Sequence, residues 1–131
     1  MPDKLPMSKI EVILLAHGSR LQQANDDVLQ LAEQLQQNRP KEDITTRSAF
    51  LQFGKPSLQE SIDAAVHNGC QEVLIAPLFL TPGVHINEDI PEILKEAEEK
   101  YPEIRFTQCR LLGCDNRLVP ILWERIQDQL A

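Results

Sequence analysis

Most of the features by which a sequence declares its chemistry are missing from this chain. There are three cysteines, Cys70, Cys109 and Cys114, and no Cys-x-x-Cys pair. Cys109 and Cys114 are close enough to supply half of a structural zinc site, but no second thiol or imidazole pair completes the tetrahedron. An odd set of this kind reads as reduced thiols rather than a disulfide framework. Neither a GxGxxG nor a GxxxxGK[ST] pattern occurs, which removes the dinucleotide and P-loop phosphate cradles. No apolar run approaches the ~20 residues of a membrane span. The opening MPDKLPMSKI has no apolar core of signal-peptide length and reads as a short lead-in. Positive charge is also scarce: 13 Lys and Arg stand against 20 Asp and Glu, a net charge of −7. A duplex-binding face needs the opposite balance, so nucleic acid is excluded as a partner. Together these absences lead us to expect a cytoplasmic protein with neither a nucleic-acid nor a membrane partner.

What is present is an ordinary globular composition, 42% hydrophobic and 25% charged over 131 residues. That length suits one domain, able to bury roughly two-thirds of its unfolded surface without covalent staples. We divide the chain into a lead-in, 1–9, and a single domain, 10–131. Within it, apolar runs alternate with helical patterns. Ile10 to Ala16 is almost continuously apolar, as a strand covered on both faces should be. Leu21, Ala24, Val28, Leu31 and Leu35 then recur at helical spacing until Pro40. A second strand is expected over Ile44–Leu51, followed by a helix opened by Ser57 and Glu60 in a capping box and closed at Asn68-Gly69. Val73–Leu80 is the third strand, with a helix from about Asn87 to Lys100 after it. Ile104–Leu112 is a fourth, edge-like strand. A last helix from Asn116 carries Leu118, Leu122, Ile126 and Leu130 on its inner side. Strands alternating with helices imply a parallel sheet sandwiched between helical layers. Such sheets bind ligands beyond the strands' carboxyl ends, where the strand order reverses. An order of 2-1-3-4 puts that reversal between the first and third strands.

Both conspicuous histidines fall there. In Leu14-Leu15-Ala16-His17-Gly18-Ser19-Arg20, His17 follows the first strand directly, Gly18 lets the backbone turn, and Ser19 is placed to cap the next helix. The plainer alternative for His17 is a loop imidazole bonded to a carbonyl. In the segment from Pro77 to Pro91, Pro82 and Gly83 shape the loop that presents His85, with Glu88 one turn on and Asp89 beside it. Imidazole beside carboxylate suits a divalent metal, although acidic residues are also favoured in any first helical turn by the dipole. Arg20 can meet an anionic substrate group or simply face water, and Arg47 and Lys55 lie in the same region of sequence. His67 sits at a helix end, where a cation is favourable, and is left outside the site.

The two segments LLAHGSR and APLFLTPGVHINEDIP, in that order and at this length, resemble the class II chelatases, specifically the short CbiX form of sirohydrochlorin chelatase. The resemblance runs from Ile10 to the C-terminus. It implies a flavodoxin-like three-layer α/β domain with a four-stranded parallel sheet, and insertion of Co²⁺, Fe²⁺ or Ni²⁺ into a tetrapyrrole. The metal is then a substrate, with no permanently bound cofactor. It implies His17 and His85 as the catalytic and metal-holding pair and puts the family's acidic positions on Glu88 and Asp89; of these we expect Glu88 as a further ligand and Asp89, with Ser19 and Arg20 from our own reading of the first loop, toward the substrate. It also implies a homodimer, because a longer relative has two such domains facing each other. A histidine, whose ordinary pKa is near ~6.5, can hold an ion and take pyrrole protons at neutral pH. Two other readings compete. Histidine phosphatases also place a His-Gly pair after the first strand, but hold phosphate with an arginine where this chain has Ala16. A metal or tetrapyrrole delivery protein would use the same crevice without turnover.

Overall fold

The computed structural model describes residues 9–130, and of His85 the backbone alone. The expected lead-in therefore lies, apart from Lys9, outside the described residues. The elements are β1 (Ile10–Ala16), α1 (Gln22–Gln37), β2 (Ile44–Phe50), α2 (Leu58–His67), β3 (Glu72–Pro77), a π-helical turn (His85–Asp89), α3 (Ile90–Lys100), β4 (Arg105–Gln108) and α4 (Leu118–Gln127). The strands form one parallel sheet in the order β2-β1-β3-β4, the expected 2-1-3-4. Among the described residues no helix is long and apolar enough to cross a membrane.

The pleat separates two faces that are closed to different degrees. Ile13 and Leu15 of β1, Ala49 of β2, Val73 and Ile75 of β3 and Phe106 of β4 point to one side. There they meet Leu58, Ile62 and Ala65 of α2 and Ile90, Leu94 and Ala97 of α3 in one buried cluster. Helix α2 is fixed at its start by the expected capping box: the Ser57 hydroxyl accepts the Glu60 amide, and the Glu60 carboxylate accepts the Ser57 amide. Gly69, at a φ of 84°, takes the left-handed turn that ends it. Glu11 is buried on this face at 1% exposure and is neutralised by Arg47 at 2.6 Å. That pairing takes Arg47 away from the site region in which its sequence position had placed it.

The second face carries α1, and here several expectations need correction. The Thr46 hydroxyl donates to the carbonyl of Ala32, so α1 lies over β2 and β1. Its buried residues are Asn25 and Ala32. The expected apolar stripe is rotated to the helix flank: Leu21 is 65%, Leu31 37% and Leu35 40% exposed. The spacing was helical, but the small residues, not the leucines, sit against the strands. Nor does Ser19 cap α1. Leu21 is the N-cap and makes no side-chain cap bond, and the Ser19 hydroxyl accepts the Leu21 amide in a local turn.

The third strand stops at Pro77 rather than Leu80, because its partner β1 turns away at Gly18, whose φ is 90°. The fourth stops at Gln108 rather than Leu112. Beyond it the chain is tied to the end of β3 by Cys109, Leu112 and Gly113, which donate to the carbonyls of Ile75, Pro77 and Phe79. Helix α4 has no inner face. None of its residues is buried, and Leu122, Ile126 and the following Leu130 are 58%, 45% and 65% exposed.

Candidate active site at the carboxyl ends of β1 and β3

His17 is the first residue beyond β1, and the strands on both sides hold its position. Leu51 and Gln52 donate to the carbonyls of Ala16 and His17, and Leu78 donates to that of Leu15. The imidazole is exposed and rests on Phe79, with ring centroids 4.4 Å apart and planes inclined at 37°. Phe79 is itself buried at 7% exposure, so it is a firm platform beneath the histidine. The turn that follows requires glycine. At Gly18 the φ is positive, and a β-carbon would lie 1.6 Å from the Gln52 carbonyl oxygen.

Asn25 secures this turn from α1. It is 4% exposed; its side-chain oxygen accepts the Ser19 amide, and its nitrogen donates to the carbonyls of Ser19 and Phe53. One buried amide thus joins the β1–α1 and β2–α2 loops. Phe53 occupies the left-handed region at a φ of 54°, with its ring 51% exposed. The Arg20 guanidinium lies 4.6 Å from that ring's centre, held as a cation over an aromatic face at the rim.

The second histidine loop leaves β3, the strand next to β1, at the same edge of the sheet. Its backbone turns at His85–Asp89, anchored by buried Ile86 and by the Asn87 amide donating to Gly83. Glu88 is exposed and Asp89 half buried. Asp89 lines a cavity of about 270 Å³ with Leu51, Gln52, Glu92 and Glu96, on the β2 side of the turn. The structure therefore brings Ser19 and Arg20 together around His17 and places the His85–Asp89 turn on the adjacent strand. Among the described residues no three His, Cys, Asp or Glu side chains converge as a metal cage. Burial pushes the Cys70 and Cys109 thiols up, keeping them protonated and poor as metal ligands. A larger cavity, about 530 Å³, follows the β2 edge between α1 and α2 and does not include His17. His67, as expected, lies elsewhere, its ring nitrogen against the Asp63 carbonyl.

Asn25, Phe53 and Phe79 went unnoticed in the sequence. Asn25 carries a faint signal, being seven residues before Ala32 and so on the same helix face. The two phenylalanines carry none, since their roles come from contacts with distant loops.

A parallel α/β sheet with a histidine at the strand-order reversal defines a crevice-binding protein of the doubly wound type. The family follows from comparison: the CbiX family profile matches residues 11–129, and the chain belongs to the CbiX family. It is 30% identical to a sirohydrochlorin ferrochelatase of Priestia megaterium over 118 residues, 89% of this chain and 43% of that protein. It is 28% identical to a sirohydrochlorin cobaltochelatase of Methanosarcina acetivorans, covering 93% of this chain and 98% of the relative. Among solved structures, the cobalt complex of the sirohydrochlorin chelatase SirB from Bacillus subtilis subspecies spizizenii superposes with a TM-score of 0.85 at 26% identity. That match covers 92% of this chain and 51% of SirB. The chain thus spans about half the length of some relatives and nearly all of another.

Proposed function

We propose that the protein is a sirohydrochlorin chelatase, which inserts a divalent ion, Co²⁺, Fe²⁺ or Ni²⁺, into the metal-free macrocycle. The observation that carries this reading is the exposed His17 imidazole, seated on Phe79 at the strand-order reversal of a CbiX-family sheet. Insertion replaces two pyrrole protons with one doubly charged ion, so the site needs a labile ligand and a proton acceptor. Imidazole serves both ends, and carboxylates assist. In this reading His17 and His85 hold the incoming ion, Glu88 supplies a further oxygen, and one histidine takes the protons. Arg20, poised over Phe53, meets a substrate carboxylate, and Ser19 and Asp89 flank it. The Asn25 clamp fixes the loops so that these groups do not have to be ordered afresh at each turnover. The ion and the macrocycle are both substrates, and no resident cofactor is invoked.

The active form in this reading is a homodimer. A shallow crevice on one sheet edge covers one side of a planar ring, and relatives of double length offer room for a second wall. The test is anaerobic incubation of the purified protein with sirohydrochlorin and each ion in turn, following the visible spectrum. Metal-dependent spectral change is expected, with His17→Ala and His85→Ala each lowering the rate at least about a hundredfold at unchanged melting temperature. Macrocycle binding without turnover would instead favour a delivery protein. Near-normal rates in both variants would remove the two histidines from the chemistry.

A further inference from the structure

Phe53 stands outside the buried cluster and in a backbone conformation that suits a smaller residue. It is 51% exposed and holds a φ of 54°, the left-handed region that a bulky side chain enters only under constraint. Glycine follows it and could have taken that turn. Gly54 serves a different need: a β-carbon there would lie 2.8 Å from the Phe50 ring and 3.1 Å from the Asn25 side-chain nitrogen. The strained position is therefore left to the aromatic residue. Its carbonyl accepts that same Asn25 nitrogen at 2.9 Å, so a residue only 4% exposed holds the strain in place.

The ring so displayed lies next to the histidine. Gln52, the residue before it, donates to the His17 carbonyl at 3.0 Å, and the Gln52 carbonyl closes against Gly18. The β2–α2 loop is thereby tied to the β1–α1 loop at His17, and Phe53 is the next residue along. The Arg20 guanidinium covers part of the ring from 4.6 Å and still leaves Phe53 half open.

An open aromatic face beside a guanidinium is a composite surface. It suits a ligand that is itself flat and conjugated and that carries carboxylates at its edge. The conjugated face stacks on the phenyl ring in an offset, and a carboxylate pairs with the guanidinium. A hydrated metal ion gains nothing from either group. We propose that Phe53 is a specificity-determining contact for the macrocycle, holding its conjugated face beside His17 while Arg20 takes a peripheral carboxylate. The role rests on the chelatase reading above, and it concerns the organic substrate rather than the ion. Because Asn25 fixes the loop before anything binds, the ring is presented without further ordering. The strain at Phe53 is then tolerated for binding, not for folding.

Glycine at this position separates the two. It adopts a positive φ freely, so Phe53→Gly should melt no lower than wild type. Its Kd for metal-free sirohydrochlorin, read anaerobically from the macrocycle's own absorption and emission, should rise at least about tenfold. Its affinity for Co²⁺ alone should stay within about twofold of wild type. Phe53→Tyr keeps the aromatic face and should bind the macrocycle within about threefold of wild type. In turnover the Phe53→Gly loss should fall mainly on KM for the macrocycle rather than on kcat. Equal macrocycle affinity in wild type and Phe53→Gly would overturn the proposal. So would an equal loss in Phe53→Tyr, or a matching loss of Co²⁺ affinity or melting temperature, since each would mean that the loop and not the ring had been tested. The chelatase reading fails differently. A wild-type chain that binds sirohydrochlorin, loses it on Phe53→Gly and inserts no ion would refute turnover and leave the contact standing; one that binds no macrocycle would remove both.

Discussion

The two faces of the sheet are built from one set of strands and finished differently. Residues alternating along β3 show the contrast most directly: Val73 and Ile75 are fully buried under α2 and α3, while Leu74 and Ala76 between them are half open. The closed face also contains the buried Glu11–Arg47 pair and the capped start of α2. The open face is overlaid by α1, which begins without a side-chain cap and turns its leucines outward. One face is complete within the chain. The other is closed by α1 where Leu14, Ala16 and Ala32 are buried, and stays half open over Leu74 and Ala76. Local order at the site is drawn from both faces, because Asn25 of α1 clamps loops that leave β1 and β2.

The largest effect expected from this contrast is on the core. Ile75→Ala removes a buried side chain from a closed cluster and should cost about 3 kcal/mol in chemical unfolding. Leu74→Ala, one residue earlier on the same strand, should cost less than about 1 kcal/mol in dilute protein, because the side chain already keeps part of its contact with water. Equal penalties at high dilution would erase the distinction between the faces.

The sequence made some of this legible and hid the rest for identifiable reasons. The strands were readable because β1 and β3 are the two central strands of a parallel sheet, each with a neighbour on both sides, and such strands carry near-continuous apolar runs. The start of α2 was readable because Ser57 and Glu60 bond within a few residues of each other. The crevice was readable because a histidine directly beyond a strand, followed by glycine, has few places to go in a parallel sheet. Orientation was not readable. The stripe from Leu21 to Leu35 has helical spacing, but spacing alone does not say whether it meets its own sheet or another surface. The inner face assigned to α4 failed in the same way: Leu122 and Ile126 were given a partner inside the chain, and it has none there. Asn25, Phe53 and Phe79 act through residues that only the fold brings near, so no local pattern could announce them.

Helix starts offer a smaller test of the same contrast. Ser57→Ala removes the hydroxyl that accepts the Glu60 amide and should destabilise the protein by about 1 kcal/mol. It should release Glu60 only in part, because that carboxyl is held below its ordinary value chiefly by the Ser57 backbone bond, which alanine keeps, and then by the hydroxyl. Ser19→Ala, at the corresponding loop before α1, removes only a local turn and should cost under about 0.5 kcal/mol. Thermal melts of the two variants measure the difference. A Ser19 cost as large as that of Ser57 would show that α1 is capped after all.

The smallest effect concerns the seam between α2 and α3. Asp63 accepts the Tyr101 hydroxyl at 2.5 Å and the Lys100 ammonium at 3.2 Å, joining the two helices over the closed face. The Tyr101 bond first, and then Lys100, hold the Asp63 carboxyl below its ordinary value. A depressed carboxyl stabilises the fold above its unfolded pKa, near ~3.9, and loses that contribution as the pH falls through the lower folded value. The Asp63 side chain is 42% exposed, so solvent screening limits the contribution to well under about 1 kcal/mol. Asp63→Asn should therefore lower stability slightly at pH 7 and approach wild type near pH 3. Unfolding midpoints across that range decide the matter. A gap unchanged between pH 7 and pH 3 would mean that the side chain acts through packing rather than charge, and the seam would then owe nothing to titration.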